Sequence, residues 1–180
     1  LNPSSAASDV YKRQNVTSFE PMSASVRVQL DPLVMNEASI ISIHYSGSPM
    51  QDASGWGGFY FSGNFSWNLG VGFEDDPHTY GRIWHPCFDN FIEKATYEFE
   101  VTTMDNRVAA CNGLLLETTD NGNGTVTYHW RLDQPISSYL ANVSVAPYIS
   151  VEGSIDAING SLPYQILSLI HISEPTRLGF

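Results

Sequence analysis

The chain has 180 residues, 42% of them hydrophobic, and its 19 acidic residues outnumber 8 basic ones for a net charge of −11. This length suits one domain with a sizeable core. Because a surface with this net negative charge repels phosphate backbones and anionic headgroups, we expect neither nucleic-acid nor membrane binding. It favours a cationic partner, for example the free amino terminus of a peptide. The sequence contains no run of about 18 apolar residues, so we predict no transmembrane helix.

Both ends of the chain read as foreign to the protein. Residues 8–14 (SDVYKRQ) and 167–177 (LSLIHISEPTR) resemble translated sequencing-adapter read-through, which is seen at the ends of gene models from metagenomic assemblies. We therefore expect artefactual tails at 1–14 and 167–180 around an authentic domain at 15–166, itself truncated at both ends. The alternative is that the tails are natural, flexible termini.

The first half of the chain predicts strands. Residues 25–30 alternate polar and apolar side chains, and residues 38–45 are rich in β-branched and aromatic ones. Residues 58–65 predict an aromatic strand, followed by a long connection at 68–79 that is rich in glycine and acidic residues.

The second half continues the same rhythm. Residues 95–103 alternate almost perfectly, and an apolar run at 108–117 is interrupted by Asn112-Gly113. A tight turn at 120–124 predicts a hairpin. A long apolar strand is predicted at 137–148, and a strand, turn and strand at 149–162. No ten-residue segment has helical periodicity, so the prediction is an all-β, antiparallel β-sandwich or saddle-like curved double sheet.

Residues with catalytic or metal-binding chemistry do not form a known constellation. The five histidines never occur as His-Glu-x-x-His, and there is no Gly-x-Ser-x-Gly motif. His85, Cys87 and Asp89 alternate at a spacing of two, which is a weak metal pattern interrupted by Pro86. The favoured interpretation is that Cys87 is a small buried hydrophobe and that His85 packs beside Trp84. We therefore predict no catalytic residue and no metal site in this chain.

One stretch carries a specific resemblance. Residues 82–97 read RIWHPCFDNFIEKATY. They resemble the signature in the N-terminal β-domain of zinc aminopeptidases of the aminopeptidase N and leukotriene hydrolase type, in a bacterial variant. The matching positions are Arg82, Pro86, Cys87, Asp89, Lys94, Ala95, Thr96 and Tyr97. Residues 58–60 and 135–140 resemble two further family segments, in the same order. The sequence departs from the family at Asn90-Phe91, where Glu-Pro is usual.

The resemblance implies a function for the parent protein. The family's catalytic domain, absent here, binds zinc and cleaves the first peptide bond of a substrate. The N-terminal domain docks on that catalytic domain and walls one side of the peptide cleft. A Glu or Gln upstream of the signature helps to hold the substrate's free amine, a role that falls to Glu74 here. An ungapped register gives it instead to Asp75 or Asp76, and a solvated loop carboxylate is the further alternative.

For Arg82, Pro86, Cys87 and Asp89 the resemblance implies a structural role, with the arginine and the carboxylate bracing a turn at the base of the sheet. A different class of function is also open. Clustered aromatic residues at 56–67 are typical of carbohydrate-binding β-sandwich modules, and a protein-binding module is possible on the same fold. Three coplanar exposed rings would favour the sugar-binding class. The residues leave the compartment open, and the resemblance suggests a periplasmic or extracellular parent.

Overall fold

The computed structural model describes residues 2–7, 16–21, 25–30, 40–73, 76–158 and 160–169. Within them the chain is built of β-strands joined by turns and two short 3-10 helices. The strands are β1 (Asn2–Ala7), β2 (Val16–Pro21), β3 (Val26–Leu30), β4 (Ser42–Ser46), β5 (Gly57–Ser62), β6 (Phe65–Gly72), β7 (Lys94–Met104), β8 (Val108–Cys111), β9 (Leu114–Asp120), β10 (Thr125–Ser137), β11 (Val143–Ala146), β12 (Ile149–Ala157) and β13 (Gly160–Ser168). The prediction of an all-β chain is confirmed.

The strands pair antiparallel in sheets of unequal size. The two larger sheets have the strand orders β5-β6-β11-β8 and β7-β10-β9. Three two-stranded ribbons accompany them: β1 with β4, β2 with β3, and β12 with β13. This arrangement is the predicted antiparallel sandwich. No helix among the described ranges is long and apolar enough to cross a bilayer.

The core lies between the two larger sheets. Phe99, Tyr128 and Trp130 project from the three-stranded sheet against Val143 and Val145 of the four-stranded sheet. The Trp130 indole N–H donates a 3.0 Å hydrogen bond to a carbonyl oxygen on β8, which ties the two sheets together. Full burial of a side chain of this kind contributes about 1.5–3 kcal/mol, so this cluster supplies much of the driving force for folding.

The structure corrects the prediction for the aromatic segment. The predicted strand at 58–65 ends early, because β5 stops at Ser62 and the chain turns at Gly63-Asn64. The paired strand β6 then runs to Gly72, so it replaces the first part of the connection predicted at 68–79. Gly63 has a φ of +58°, a conformation that glycine adopts without the cost of a Cβ. The glycine inside the expected strand is thus the turn itself.

The predicted strand at 137–148 is also wrong in part. A 3-10 helix over Ser138–Leu140 precedes β11, so the chain turns before it rejoins a sheet. The reason is tertiary. The Ser137 hydroxyl donates a 3.2 Å hydrogen bond to the Phe91 carbonyl oxygen, and the Ser138 hydroxyl donates one of 3.2 Å to the Phe88 carbonyl oxygen. Both acceptors lie in residues 84–93, between the first 3-10 helix and β7, which we call the signature loop.

Candidate functional site

The Asp89 carboxylate is the centre of the signature. Its side chain is only 6% exposed, and each oxygen accepts two hydrogen bonds. Oδ1 accepts from the Gly81 backbone N–H at 3.1 Å and from the Ser138 hydroxyl at 3.2 Å. Oδ2 accepts from the Arg82 backbone N–H at 3.3 Å and from Arg82 Nη1 at 2.6 Å. The charge is therefore buried but fully coordinated by donors, as a buried carboxylate must be.

Arg82 and Thr79 complete this turn. Arg82 Nη1 also donates to the Thr79 carbonyl at 2.8 Å, and the fully buried Thr79 hydroxyl donates to the Asp89 carbonyl at 3.0 Å. A Cβ at Gly81 would lie 3.0 Å from the Ser138 carbonyl oxygen, so the two backbones approach closely. We call Thr79, Gly81, Arg82, Asp89 and Ser138 the signature clamp. The clamp joins residues 79–89 to the 135–140 segment. Its polar groups are engaged in hydrogen bonds to one another, so its role is structural.

The two cysteine thiols and the His85 imidazole are electrically neutral at pH 7. Burial raises the pKa of the Cys87 thiol to about 11, and the nearby Asp89 carboxylate acts in the same direction. Burial raises the pKa of the Cys111 thiol to about 12. Burial also lowers the pKa of His85, whose ring lies 4.2 Å from the Trp84 ring between centroids. Since thiolate is the reactive form of cysteine, neither thiol is suited to nucleophilic catalysis.

The metal-ligating side chains of the described ranges do not cluster. Within the described ranges, no three His, Cys, Asp or Glu side chains are grouped so that they could hold a metal ion. The Asp89 oxygens are taken up by the four clamp hydrogen bonds, and the zinc-binding His-Glu-x-x-His sequence does not occur. The zinc that the family resemblance implies belongs to a catalytic domain, and the described residues offer it no ligand group.

The acidic loop after β6 is anchored at its base. The Phe73 backbone N–H donates a 3.1 Å hydrogen bond to Oδ2 of Asp52, a residue that is 4% exposed. The Phe73 ring lies between Trp56 and His78, with centroid distances of 6.3 and 5.8 Å. Gly72 donates its backbone N–H to the His78 carbonyl at 3.3 Å, so the two ends of the loop are held side by side.

Of the three predicted amine-binding residues, the structure describes only Asp76. Asp76 is exposed to solvent. Glu74 and Asp75 lie outside the described residues, so the choice among the three carboxylates stays a prediction.

The aromatic side chains of β5 and β6 are divided between two faces. Phe59 and Phe61 have ring centroids 5.0 Å apart and planes inclined by 32°, and Phe59 also approaches Trp84. Tyr60 and Trp67 stack in parallel on the opposite face, with centroids 5.2 Å apart. These rings do not form three coplanar exposed platforms.

Sequence reasoning missed two residues that organise the site. Asp52 lay in a segment predicted only as a loop, although the spacing Asp52-x-Ser54-Gly55 is typical of an Asx turn. Ser138 lay in a predicted strand. Its role depends on a carboxylate 49 residues away, and no local pattern indicates such a contact.

Comparison with known proteins decides the family. The profile of the peptidase M1 N-terminal domain matches residues 4–140. The chain belongs to this family. The matched range spans the whole signature clamp, including Ser138.

Curated relatives share part of this M1 domain. The chain is 32% identical over 73 residues to leucine aminopeptidase 2 of the yeast Vanderwaltozyma polyspora, an alignment that covers 41% of this chain and 11% of the relative. It is 31% identical over 68 residues to transcription initiation factor TFIID subunit 2 of Gallus gallus, covering 37% of this chain and 6% of the relative. The alignments thus span about a tenth or less of these relatives.

Solved structures show the same fold. An M1 zinc metallopeptidase from Deinococcus radiodurans superposes with a TM-score of 0.75 at 22% identity, covering 92% of this chain and 37% of that one. A variant of an M1 zinc metallopeptidase from the same organism, bound to a Tyr-Ser-Ala substrate, gives a TM-score of 0.76 at 21% identity and covers 98% of this chain and 40% of that one. The chain therefore spans about two fifths of the length of these structures.

Proposed function

We propose that this chain is the non-catalytic N-terminal domain of a zinc metalloaminopeptidase-like protein. In that protein it docks on a separate catalytic domain, which holds the zinc, and helps to anchor the amino terminus of a peptide substrate. The family match supports the domain assignment. The docking and anchoring roles are proposed from three surface features of the domain: the β12–β13 hairpin, the signature loop and the acidic loop.

The β12–β13 hairpin is the observation that carries the docking proposal. Its register pairs Val151 with Ile166, Gly153 with Tyr164 and Ile155 with Leu162, which places these side chains on one face. The large apolar side chains on this face are 40–55% exposed: Val151, Ile155, Leu162, Tyr164 and Ile166. The other face is mainly polar and bears Ser150, Glu152, Ser154, Asp156, Ser161 and Gln165 together with Pro163 and Leu167. An exposed apolar face of this kind marks a surface that a partner covers.

A second apolar surface lies on the signature loop. Phe88 is 80% exposed, Ile92 86% and Phe91 49%, and Leu140 beside them is 46% exposed. Ser138 of the clamp and the neighbouring Ser137 fix the backbone of this loop, because their hydroxyls donate to the carbonyl oxygens of Phe88 and Phe91 respectively. Rigid presentation of apolar side chains lowers the entropy that is lost on association. The clamp thus supports docking by holding a hydrophobic loop in one conformation.

The amine-anchoring role is proposed for the acidic loop. A carboxylate that accepts from an ammonium group makes a charge-assisted hydrogen bond of about 1.5–3 kcal/mol. The net charge of −11 favours the approach of a cationic group. Glu74 is the proposed residue, with Asp75 and Asp76 as alternatives. The hydrogen bond from the Phe73 backbone N–H to Asp52 fixes the chain directly before these residues, which supports the proposal.

The docking proposal is tested with matched hairpin variants. The rest of the parent polypeptide is produced separately, and its affinity for this domain is measured by titration calorimetry. Ile155→Asp with Ile166→Asp places charge on the apolar face and should weaken binding at least tenfold. Ser154→Asp with Gln165→Asp makes the same change on the polar face and should alter it less than about twofold. Equal effects from the two pairs would show that the apolar face is not the contact.

A binding module without a peptidase partner is the competing class. The relative named as a transcription initiation factor subunit indicates that a similar domain occurs outside proteins named as aminopeptidases. The divided aromatic faces disfavour an extended sugar-binding platform. In the calorimetric experiment, no binding between the domain and the rest of its polypeptide would favour this competing class.

A further inference from the structure

The outer face of the four-stranded sheet carries a row of side chains that the proposed function does not use. Val143 and Val145 belong to the core, so Ser144 between them points away from it. In the register, Ser144 pairs with Trp67, and Trp67 pairs in turn with Tyr60. Three strands thus bring a hydroxyl, an indole and a phenol into one row on the outside of the sandwich.

The indole of Trp67 is fixed from one side. The Tyr60 ring stacks on it with a centroid distance of 5.2 Å and an angle of 8° between the planes. The Tyr60 hydroxyl is itself anchored, since it donates to the carbonyl oxygens of Gly57 at 2.8 Å and Gly55 at 3.1 Å. An aromatic ring that is held in this way keeps its orientation without a ligand, so little entropy is lost when a ligand packs on it.

Trp67 borders a groove of about 390 Å³. This volume lies within the range of small-molecule sites. Phe65 adds apolar surface, while Ser62, Ser144 and Tyr148 bring hydroxyl groups to the lining. The Ser144 and Tyr148 hydroxyls are hydrogen-bonded to each other at 2.6 Å. Although the chain carries a net charge of −11, the described residues that line the groove include no Asp, Glu, Lys or Arg.

We propose that this groove binds a neutral pyranose ring. The apolar C–H face of a pyranose packs on an indole, and its hydroxyls pair with hydroxyls that can both donate and accept. Among the described residues the lining offers a charged ligand no ion-pair partner, so a neutral ligand fits it better than an ammonium or a phosphate. A single indole provides one stacking position, so the site takes one sugar ring rather than an extended chain. This site is separate from the acidic loop and the apolar hairpin face, and it does not rest on the proposed function.

The test uses the whole chain labelled with ¹⁵N, in which the four tryptophans give four indole N–H resonances. Methyl β-D-glucopyranoside, maltose, cellobiose and lactose are titrated to about 50 mM, a range that reaches millimolar dissociation constants. We expect saturable shifts of the Trp67 resonance with at least one sugar. Trp56, which is 58% exposed and does not line the groove, should not shift.

Variants refine the assignment. Trp67→Ala should weaken the affinity at least tenfold, and Trp56→Ala should leave it within about twofold. If Trp67→Ala does not fold, the indole N–H shifts of the unaltered chain still show whether a sugar binds at Trp67. The proposal is overturned if no sugar shifts Trp67, or if Trp56 shifts equally. It is also overturned if a proline-rich decapeptide shifts Trp67 and the sugars do not, because the groove would then bind peptides.

Discussion

Asp89 and Ser138 are 49 residues apart in the sequence, and the Ser138 hydroxyl donates a 3.2 Å hydrogen bond to the Asp89 carboxylate. This contact joins two of the segments on which the family resemblance depends, 82–97 and 135–140. The same serine also donates to the Phe88 carbonyl at 3.2 Å. The two segments are therefore parts of one structural unit, which holds the apolar signature loop in place.

The first prediction concerns the Asp89 carboxylate. Asp89→Ala removes the acceptor for four donors and leaves the Arg82 guanidinium, which is 29% exposed, without this partner. We expect a loss of stability on the order of 3 kcal/mol, measured by urea denaturation of the chain.

Two milder substitutions serve as controls for this prediction. Asp89→Asn keeps an acceptor oxygen and should cost less than Asp89→Ala. Ser138→Ala removes one donor and should cost about 1 kcal/mol. An unchanged denaturation midpoint for Asp89→Ala would contradict the structural role of the clamp.

The sequence predicted the features that depend on local signals and missed those that depend on contacts between residues far apart in the chain. Alternation at 95–103 predicted β7, and the glycine-rich turn at 120–124 predicted the β9–β10 hairpin, because both signals are local. The 3-10 helix at Ser138–Leu140 was missed, since hydrogen bonds to distant backbone carbonyls override its apolar pattern. The same reason explains why Asp52 was not identified: its partner Phe73 lies 21 residues away.

A second prediction concerns the pH dependence of the thiols. The pKa values are about 11 for Cys87 and about 12 for Cys111 in the folded chain, against about 8.5 for an exposed thiol. Folding therefore favours the protonated thiols. Their contribution to stability is fully present below about pH 8.5 and is lost as the pH rises toward 11 and 12. Native labelling by iodoacetamide should be slow at pH 7.5, whereas both thiols should react quickly in urea. Fast native labelling at pH 7.5 would contradict the burial of these groups.

The third prediction concerns the anchor of the acidic loop. Asp52→Ala removes the acceptor of the Phe73 backbone N–H, so hydrogen exchange at that amide should accelerate at least tenfold. Asp52→Asn keeps an acceptor oxygen and should preserve most of the protection. If alanine and asparagine accelerate exchange equally, the negative charge of Asp52 rather than the hydrogen bond holds the loop.

The fourth prediction concerns zinc. Since the chain lacks a His-Glu-x-x-His motif, we expect it to bind no stoichiometric zinc and to hydrolyse no aminoacyl anilide by itself. A metal-sensitive dye in competition with the chain measures the first property. Tight binding of one zinc per chain would contradict the assignment of the metal site to a separate domain.

The last prediction concerns which carboxylate binds the substrate amine. In the full-length parent, Glu74→Ala should lower kcat/KM on an aminoacyl anilide roughly ten- to a hundredfold, because a charge-assisted hydrogen bond of about 1.5–3 kcal/mol is lost. Asp75→Ala and Asp76→Ala are measured beside it, and a substrate with an acetylated amino terminus reports binding that does not depend on the amine. If Glu74→Ala stays within about twofold while an aspartate variant loses activity, the amine contact belongs to that aspartate. If none of the three substitutions matters, the acidic loop does not bind the amine, and its charge acts only on the surface potential of the domain.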